Sequence, residues 1–541
     1  MENTFFLFAI VMLYLFVIGY LGYRGYRGTR TATDYLVAGR KQHPVVMALS
    51  YGATFISTSA IVGFGGAAAM FGMGILWLTV LNVSVGVFVA FVFIGTRTRS
   101  MGHRLNAHTF PELLGNRFDS TFIKVFAALV IILFMPLYTS VVLMGGAKFI
   151  EVRMGADYEF ALFFLSALVA LYVIMGGLKG VMYADAAQGA IMIIGIVLLL
   201  FFTYLRLGGI GSAHAQLTAM APEAEKLFGP AGHRGWTSMP EFGSRFWWTL
   251  VSTIIMGVGI GVLAQPQLAV RYMTVKSTRE LNRAVLVGGI FITMLTGGAF
   301  IAGALSNVYF FNDPEVGAIS FLAANRDIEQ IIPEFIKRYL PFWLGDVFFV
   351  TLMAAAMSTA SSQFHAMGTA AGRDIFETFK PDTHSGGSIL PSRIGIFLTF
   401  LVSVFLAYAL PVYFEAGEAI VARGTAIFFG LCAATFLPMY IGALYSRRIT
   451  KSAAIWGGLM GFAVSLFWLV FAHRAEAEAL LICNAVFGRP HIFGDLRTGF
   501  ILWSEVDPLF VGLPVSILVT LVATCLTRPM PETHVEKCFG N

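Results

Sequence analysis

Charge is the scarcest property of this chain. Only 12% of its 541 residues are Asp, Glu, Lys or Arg, about half the ~25% of an ordinary soluble domain, while 57% are hydrophobic. A soluble enzyme of this size would expose large apolar areas to water, so that class is excluded and lipid is the natural solvent for the surface. Cysteine is nearly absent too. Cys432, Cys483, Cys525 and Cys538 show no CxxC spacing, which argues against a zinc site or a disulfide framework. The excess of six positive charges forms no basic stripe, so no nucleic-acid partner is expected. The first four residues contain Glu2 and no Lys or Arg, and the apolar run after them is long enough to span, so no cleavable signal is expected.

Long apolar runs are abundant. A hydrocarbon core of ~30 Å needs about 20 helical residues. Stretches of that kind fall at 3–23, 44–72, 74–96, 121–147, 158–178, 181–206, 246–270, 283–306, 343–372, 394–411, 419–446, 452–472 and 508–527. The chain is therefore read as an all-α polytopic membrane protein with about 13 transmembrane helices. With the N-terminus outside, 23 of the 36 Lys and Arg fall on the cytoplasmic side and 13 outside, most of the latter in three long loops. This predicts a multi-pass cell-membrane protein, N-terminus out and C-terminus in. No loop is long enough to bury a core of its own, so no soluble domain is expected. Segments 315–322 and 328–339 read either as short surface helices or as solvated loop.

Polar residues inside a span are costly and mark function or interhelical bonding. The second span reads Ser50-Tyr51-Gly52-Ala53-Thr54-Phe55-Ile56-Ser57-Thr58-Ser59, followed by Gly63, Gly65 and Gly66. It is either a helix that breaks at membrane depth and frees carbonyls for a cation, or a small-residue packing face. The ninth span gathers Ser358, Thr359, Ser361, Ser362 and Gln363. Neutral oxygens of this kind suit a monovalent cation that must later leave. Ser358, Ser361 and Ser362 share a helix face and Thr359 is turned about 100° away, which allows two neighbouring sites. No Asp/Glu-rich cage for Ca²⁺ or Mg²⁺ is present. Asp185, near the start of the sixth span, either neutralises a cation or pairs with a base such as Lys179. In the seventh span Gly257, Gly259 and Gly261 precede Gln265-Pro266 and predict unwound backbone there. Interruptions at the start of two five-helix units, spans 2–6 and 7–11, point to a transporter site between them.

These residues resemble the sodium:solute symporter family. The motifs in order are Asp34-Tyr35-Leu36-Val37-Ala38-Gly39-Arg40, Thr109-Phe110-Pro111-Glu112, Gly176-Gly177-Leu178-Lys179-Gly180 with Asp185 and Gln188, Gln265-Pro266 with Arg271, and Met357-Ser358-Thr359. The resemblance implies a leucine-transporter-type inverted repeat with two discontinuous helices: repeats at 44–208 and 246–448, a first helix and loop at 1–43, and two additional helices and a tail at 449–541. It implies a sodium site on the carbonyls of Ala53, Ile56 and Ala355 and the hydroxyls of Ser358 and Thr359. A second sodium site, known in sialic-acid-type members, maps to Asp185, Ser358, Ser361 and Ser362.

Phe55, Val258 and Val262 replace the acidic, Trp and Tyr residues of proline-type members, and Phe55, Ser59 and Ala60 depart from the sugar transporters. Residues 263–271 look closer to the pantothenate branch and suggest an organic carboxylate as solute. Ser57, Ser59, Tyr138, Val258, Val262 and Gln265 are the expected solute-lining set, with a packing role for Tyr138 the alternative. The reading is a monomeric, sodium-coupled symporter without cofactor or covalent chemistry, importing a small organic solute such as a vitamin, amino acid or organic acid by alternating access. Alternatives are a sugar or sialic-acid transporter, or a channel or sensor module; a membrane enzyme lacks a nucleophile with a base, His365 included.

Overall fold

The computed structural model describes residues 2–380, 389–413 and 420–540. Apart from a two-stranded hairpin pairing Arg497–Thr498 with Ile501–Leu502, its regular elements are helical. Eleven described helices are long and apolar enough to cross a membrane. Two are too long to cross once. Tyr158–Arg206 has 49 residues, which at 1.5 Å per residue would measure about 74 Å, more than twice a hydrocarbon core. Both are interrupted at a glycine that the sequence left as the only divider: Gly72 (φ 76°) in 59–104 and Gly177 (φ 56°) in Tyr158–Arg206. Positive φ favours glycine, and neither site has space for a side chain: a Cβ on Gly72 would enter the Trp236 backbone, and one on Gly177 the Tyr35 ring. Divided there, the eleven helices make the thirteen expected spans. Residue 419, expected to open the eleventh, lies outside the described residues.

Both expected interruptions are present, although the second lies later than its glycines suggest. In the second span the helix Pro44–Phe55 stops, Ile56 is extended (ψ 96°), and helix resumes at Thr58. In the seventh, the helix runs straight through Gly257, Gly259 and Gly261 and breaks only at Gln265 (ψ 117°), before Pro266–Tyr272. Proline at the first helical position has no N–H to lose. The glycines instead allow close packing: a Cβ on Gly259 would strike Leu81, and one on Gly261 the Phe429 backbone. Of the loop segments, Ile331–Tyr339 is a helix preceded by a short 3-10 turn, whereas 315–322 holds only the start of the single turn Ser320–Ala323.

Small residues set the helix spacing throughout, as expected where lipid provides no hydrophobic drive between helices. The first span meets the sixth where Gly25 abuts Gly180, and the eighth meets the second where Gly303 abuts the Gly65 carbonyl. Gly303→Ala places its methyl inside that carbonyl. It is expected to lower stability by about 1–3 kcal/mol, measured as a lower unfolding temperature in detergent.

Candidate functional site

The site begins with the break in the second span. A helix that ends at Phe55 leaves its last carbonyls without N–H partners four residues on. The Ala53 carbonyl accepts instead from Ser358 Oγ (2.8 Å) and Thr359 Oγ1 (3.4 Å), and the Thr54 carbonyl from Thr359 Oγ1 (3.1 Å). Ser358 Oγ also reaches the Ala355 carbonyl at 3.3 Å. The Ala60 and Ile61 N–H groups both donate to the Ser57 carbonyl, passing over that of Ile56. Ala53, Ile56, Ala355, Ser358 and Thr359 are all buried. The structure thus gathers Ala53, Ala355, Ser358 and Thr359 of the second and ninth spans, with the Thr54 carbonyl, into one nest of neutral oxygens, while the Ile56 carbonyl at the same break takes no part in these bonds.

A second polar assembly lies one helical turn away. Asp185 Oδ2 accepts from Ser50 Oγ (2.9 Å) and Oδ1 from Ser361 Oγ (3.1 Å), while Ser362 Oγ lies 3.4 Å from Oδ2. Ser358 contributes its carbonyl, which accepts from Ser361 and Ser362, while its hydroxyl belongs to the first nest. Asp185 does not pair with Lys179, whose ammonium instead bonds the Gly28 carbonyl at 2.8 Å and faces Asp34 at 3.4 Å. The Asp185 cation is Arg271, brought in by the half-helix after Pro266. Its guanidinium donates to Asp185 Oδ2 (2.8 Å), Ser50 Oγ (3.0 Å), Ser362 Oγ (2.5 Å) and the Gln267 carbonyl (2.6 Å). Both charged residues are fully buried, and the planar fork of arginine is what allows four partners at once. Spans two, six, seven and nine are tied at this point.

Beside the first nest lies a small cavity with room for about one water. Phe55, Ile56, Ser57, Ala60, Phe64, Leu78, Asn82, Val258, Thr296, Phe300, Thr425 and Phe429 line it. Of the six residues expected to line a solute pocket, Ser57 and Val258 do. Tyr138 is buried and stacked on Phe428 at 5.7 Å. Ser59, Val262 and Gln265 are buried elsewhere; Gln265 donates to the Gly261 carbonyl and accepts from Gln267. Asn82 is the residue that sequence reasoning missed most plainly. It is the single amide in the apolar third span, its Oδ1 is buried without a partner, and so is the Ser57 hydroxyl. The rule that polar residues inside a span mark function would have found it. Thr296 and Thr425 come from spans eight and eleven, where no local signal separates them from other threonines.

The sequence model of the sodium:solute symporter family matches residues 35–461. The chain is 28% identical to the sodium/pantothenate symporter of Haemophilus influenzae, covering 70% of this chain and 72% of that one. It is 26% identical to the sodium/proline symporter of Staphylococcus aureus, covering 99% and 94%. Its fold superposes on a solved Na⁺-coupled sialic acid symporter with a TM-score of 0.74, covering 97% of this chain and 98% of that one at 19% identity. From its thirteen spans, its two broken helices and a family match over most of its length, the chain belongs to the sodium:solute symporter family and has its leucine-transporter-type fold.

Proposed function

We propose that this membrane transporter couples the inward movement of one sodium ion to import of a compact organic monocarboxylate by alternating access, working as a monomer with its N-terminus outside and its C-terminus in the cytoplasm. The observation that carries the reading is the Ala53 carbonyl at the break of the second span, held by Ser358 and Thr359, with the Ile56 carbonyl passed over by the helix at the same break. Turned away from those carbonyls, the two hydroxyls present lone pairs, and with the Ala355 carbonyl they make a shell of five neutral oxygens. Such a shell holds a hard monovalent cation loosely enough to release it. The ion joins the second span, from the first five-helix unit, to the ninth, from the second unit, so its binding favours one arrangement of the two units.

The second assembly supports a coupling of one sodium rather than two. The Arg271 guanidinium stands among Asp185, Ser361 and Ser362, where a second ion would have to be. It supplies a permanent positive charge to the same carboxylate.

The residues that line the small cavity, which must widen to admit a solute, support the solute class. No charged side chain lines it, and its wall is mostly Phe, Val, Leu and Ile, which suits an apolar body. The carboxylate then lies toward the break, where the half-helix opening at Thr58 offers unbonded first-turn N–H groups and the positive end of its dipole. Ser57 Oγ and Asn82 Oδ1 provide the hydrogen bonds that orient the rest. One sodium ion moving with one monocarboxylate carries no net charge, so the sodium concentration gradient is the drive, about 1.4 kcal/mol and up to tenfold accumulation for each tenfold difference in sodium. The purified protein in sealed vesicles is expected to accumulate a small monocarboxylate only when sodium is higher outside, and collapse of the sodium gradient should release it. Accumulation indifferent to sodium would overturn the mechanism.

A further inference from the structure

The mechanism above leaves the last helix of the chain unused. Glu532–Phe539, after the thirteenth span, lies against the protein by one face: Val535 and Cys538 are buried, while Glu532, Thr533, Glu536 and Lys537 are exposed. It covers Arg117, at the end of the helix Phe110–Arg117 between the third and fourth spans. Arg117 is fully buried. A buried charge needs polar partners, and its guanidinium donates to the Ala443 (3.1 Å) and Ser446 (2.9 Å) carbonyls at the end of the eleventh span and to Met530 Sδ (3.4 Å) at the start of the tail. Those carbonyls lie at a helix C-terminus, where the partial charge is negative. The Phe539 ring faces the same guanidinium at 5.1 Å, and the Arg117 carbonyl accepts from His534 Nε2 at 3.1 Å. Two further arginines hold the far end of the tail helix: Arg104 donates to the Phe539 carbonyl and Arg447 to that of Gly540 at 3.5 Å.

Arg104 and Arg117 belong to the first five-helix unit, whereas Ala443, Ser446 and Arg447 belong to the second, so the tail bridges the two. Beside it the same ends are shut on each other. Thr98 and Tyr440 are buried and hydrogen-bonded at 2.5 Å, the Phe110 ring packs on that of Tyr440 at 5.1 Å, and Arg97 lies 4.2 Å over the Tyr445 ring.

We propose that the C-terminal helix is a latch that holds this cytoplasmic contact shut and lets go when the transporter opens inward, so that its docking sets the balance between the two arrangements of the units. The inference rests on alternating access and on the cytoplasmic placement of the C-terminus. Opening between the third and eleventh spans draws Arg117 away from the Ala443 and Ser446 carbonyls, and the tail is fastened on both sides of that gap. It cannot keep both Arg104 and Arg447 once they part. Docking therefore stabilises the shut arrangement alone and shifts the equilibrium by that difference. Sodium arriving from outside binds while the cytoplasmic side is shut, so tail and ion favour the same arrangement and each strengthens the other.

The test compares the full chain with one ending at Arg528 and with Phe539→Ala. The latter keeps the tail and removes only the ring that faces Arg117, so it decides the matter if the shortened chain fails to fold. Thr98→Cys, placed in all three after the four native cysteines are replaced by alanine, reports opening by its rate of reaction with a membrane-impermeant maleimide in inside-out vesicles. Labelling is expected to be at least about fivefold faster in the altered chains, and the half-saturating sodium for uptake, measured with Thr98 intact, at least about fivefold higher. The ion must then close the contact unaided. Labelling as slow as in the full chain would overturn the latch. Faster labelling with unchanged sodium dependence would overturn its link to the transport cycle. Labelling from the outer face only would overturn the cytoplasmic placement of the tail. If uptake needs no sodium the functional reading fails, and the labelling rates still decide the latch.

Discussion

Arg271→Ala is expected to destabilise the protein by about 3–5 kcal/mol, because it strands the Asp185 carboxylate in a fully buried position with no cation. The penalty arises from what is left behind. Adding Asp185→Asn to an Arg271→Gln background removes the stranded charge, and the double variant should recover much of the loss. Arg271→Lys should fall between, since one ammonium can meet Asp185 but cannot also reach Ser50, Ser362 and the Gln267 carbonyl in the same plane. Thermal unfolding of the purified variants measures all three. If Arg271→Ala and the double variant unfold together, the pair is not the element that joins the four spans.

Sodium dependence should separate the two assemblies. Ser358→Ala and Thr359→Ala each delete one oxygen of the first nest and are each expected to raise the half-saturating sodium concentration about tenfold, equivalent to about 1.4 kcal/mol. Ser361→Ala should leave it nearly unchanged, because that hydroxyl is spent on Asp185 Oδ1 and the Ser358 carbonyl. The measurement is initial uptake against sodium at fixed solute. Equal effects of Ser358→Ala and Ser361→Ala would mean that the second assembly also holds a sodium ion, and the coupling of one ion per solute would be withdrawn. Normal sodium dependence in both Ser358→Ala and Thr359→Ala would remove the first nest as the site.

Much of this molecule is legible in its sequence, because the features concerned are local. A bilayer-length apolar run is visible in about 20 consecutive residues, so thirteen spans could be counted even where a single glycine, Gly72 or Gly177, does the separating. Hydroxyls crowded on the ninth span, and Gly and Ser at the centre of the second, likewise announce themselves by their own neighbours. Ser358 and Thr359 meet the Ala53 carbonyl in the structure.

Other features were settled only by packing. Arg271 and Asp185 are 86 positions apart, and nothing near either one shows that the half-helix after Pro266 would carry the guanidinium into the cluster; Lys179 looked an equally good partner from the sequence. The glycines of the seventh span read as a break and turn out to be contact surfaces, since helix-to-helix approach and unwinding both call for glycine and only the neighbouring helix decides between them. The cavity beside the break is the extreme case, with walls from spans two, three, seven, eight and eleven. The sequence by itself determined that this chain crosses a membrane and which two of its spans are broken. The tertiary structure decided which cation answers Asp185 and which side chains border the cavity beside the break, because both depend on distances between helices that no local pattern encodes.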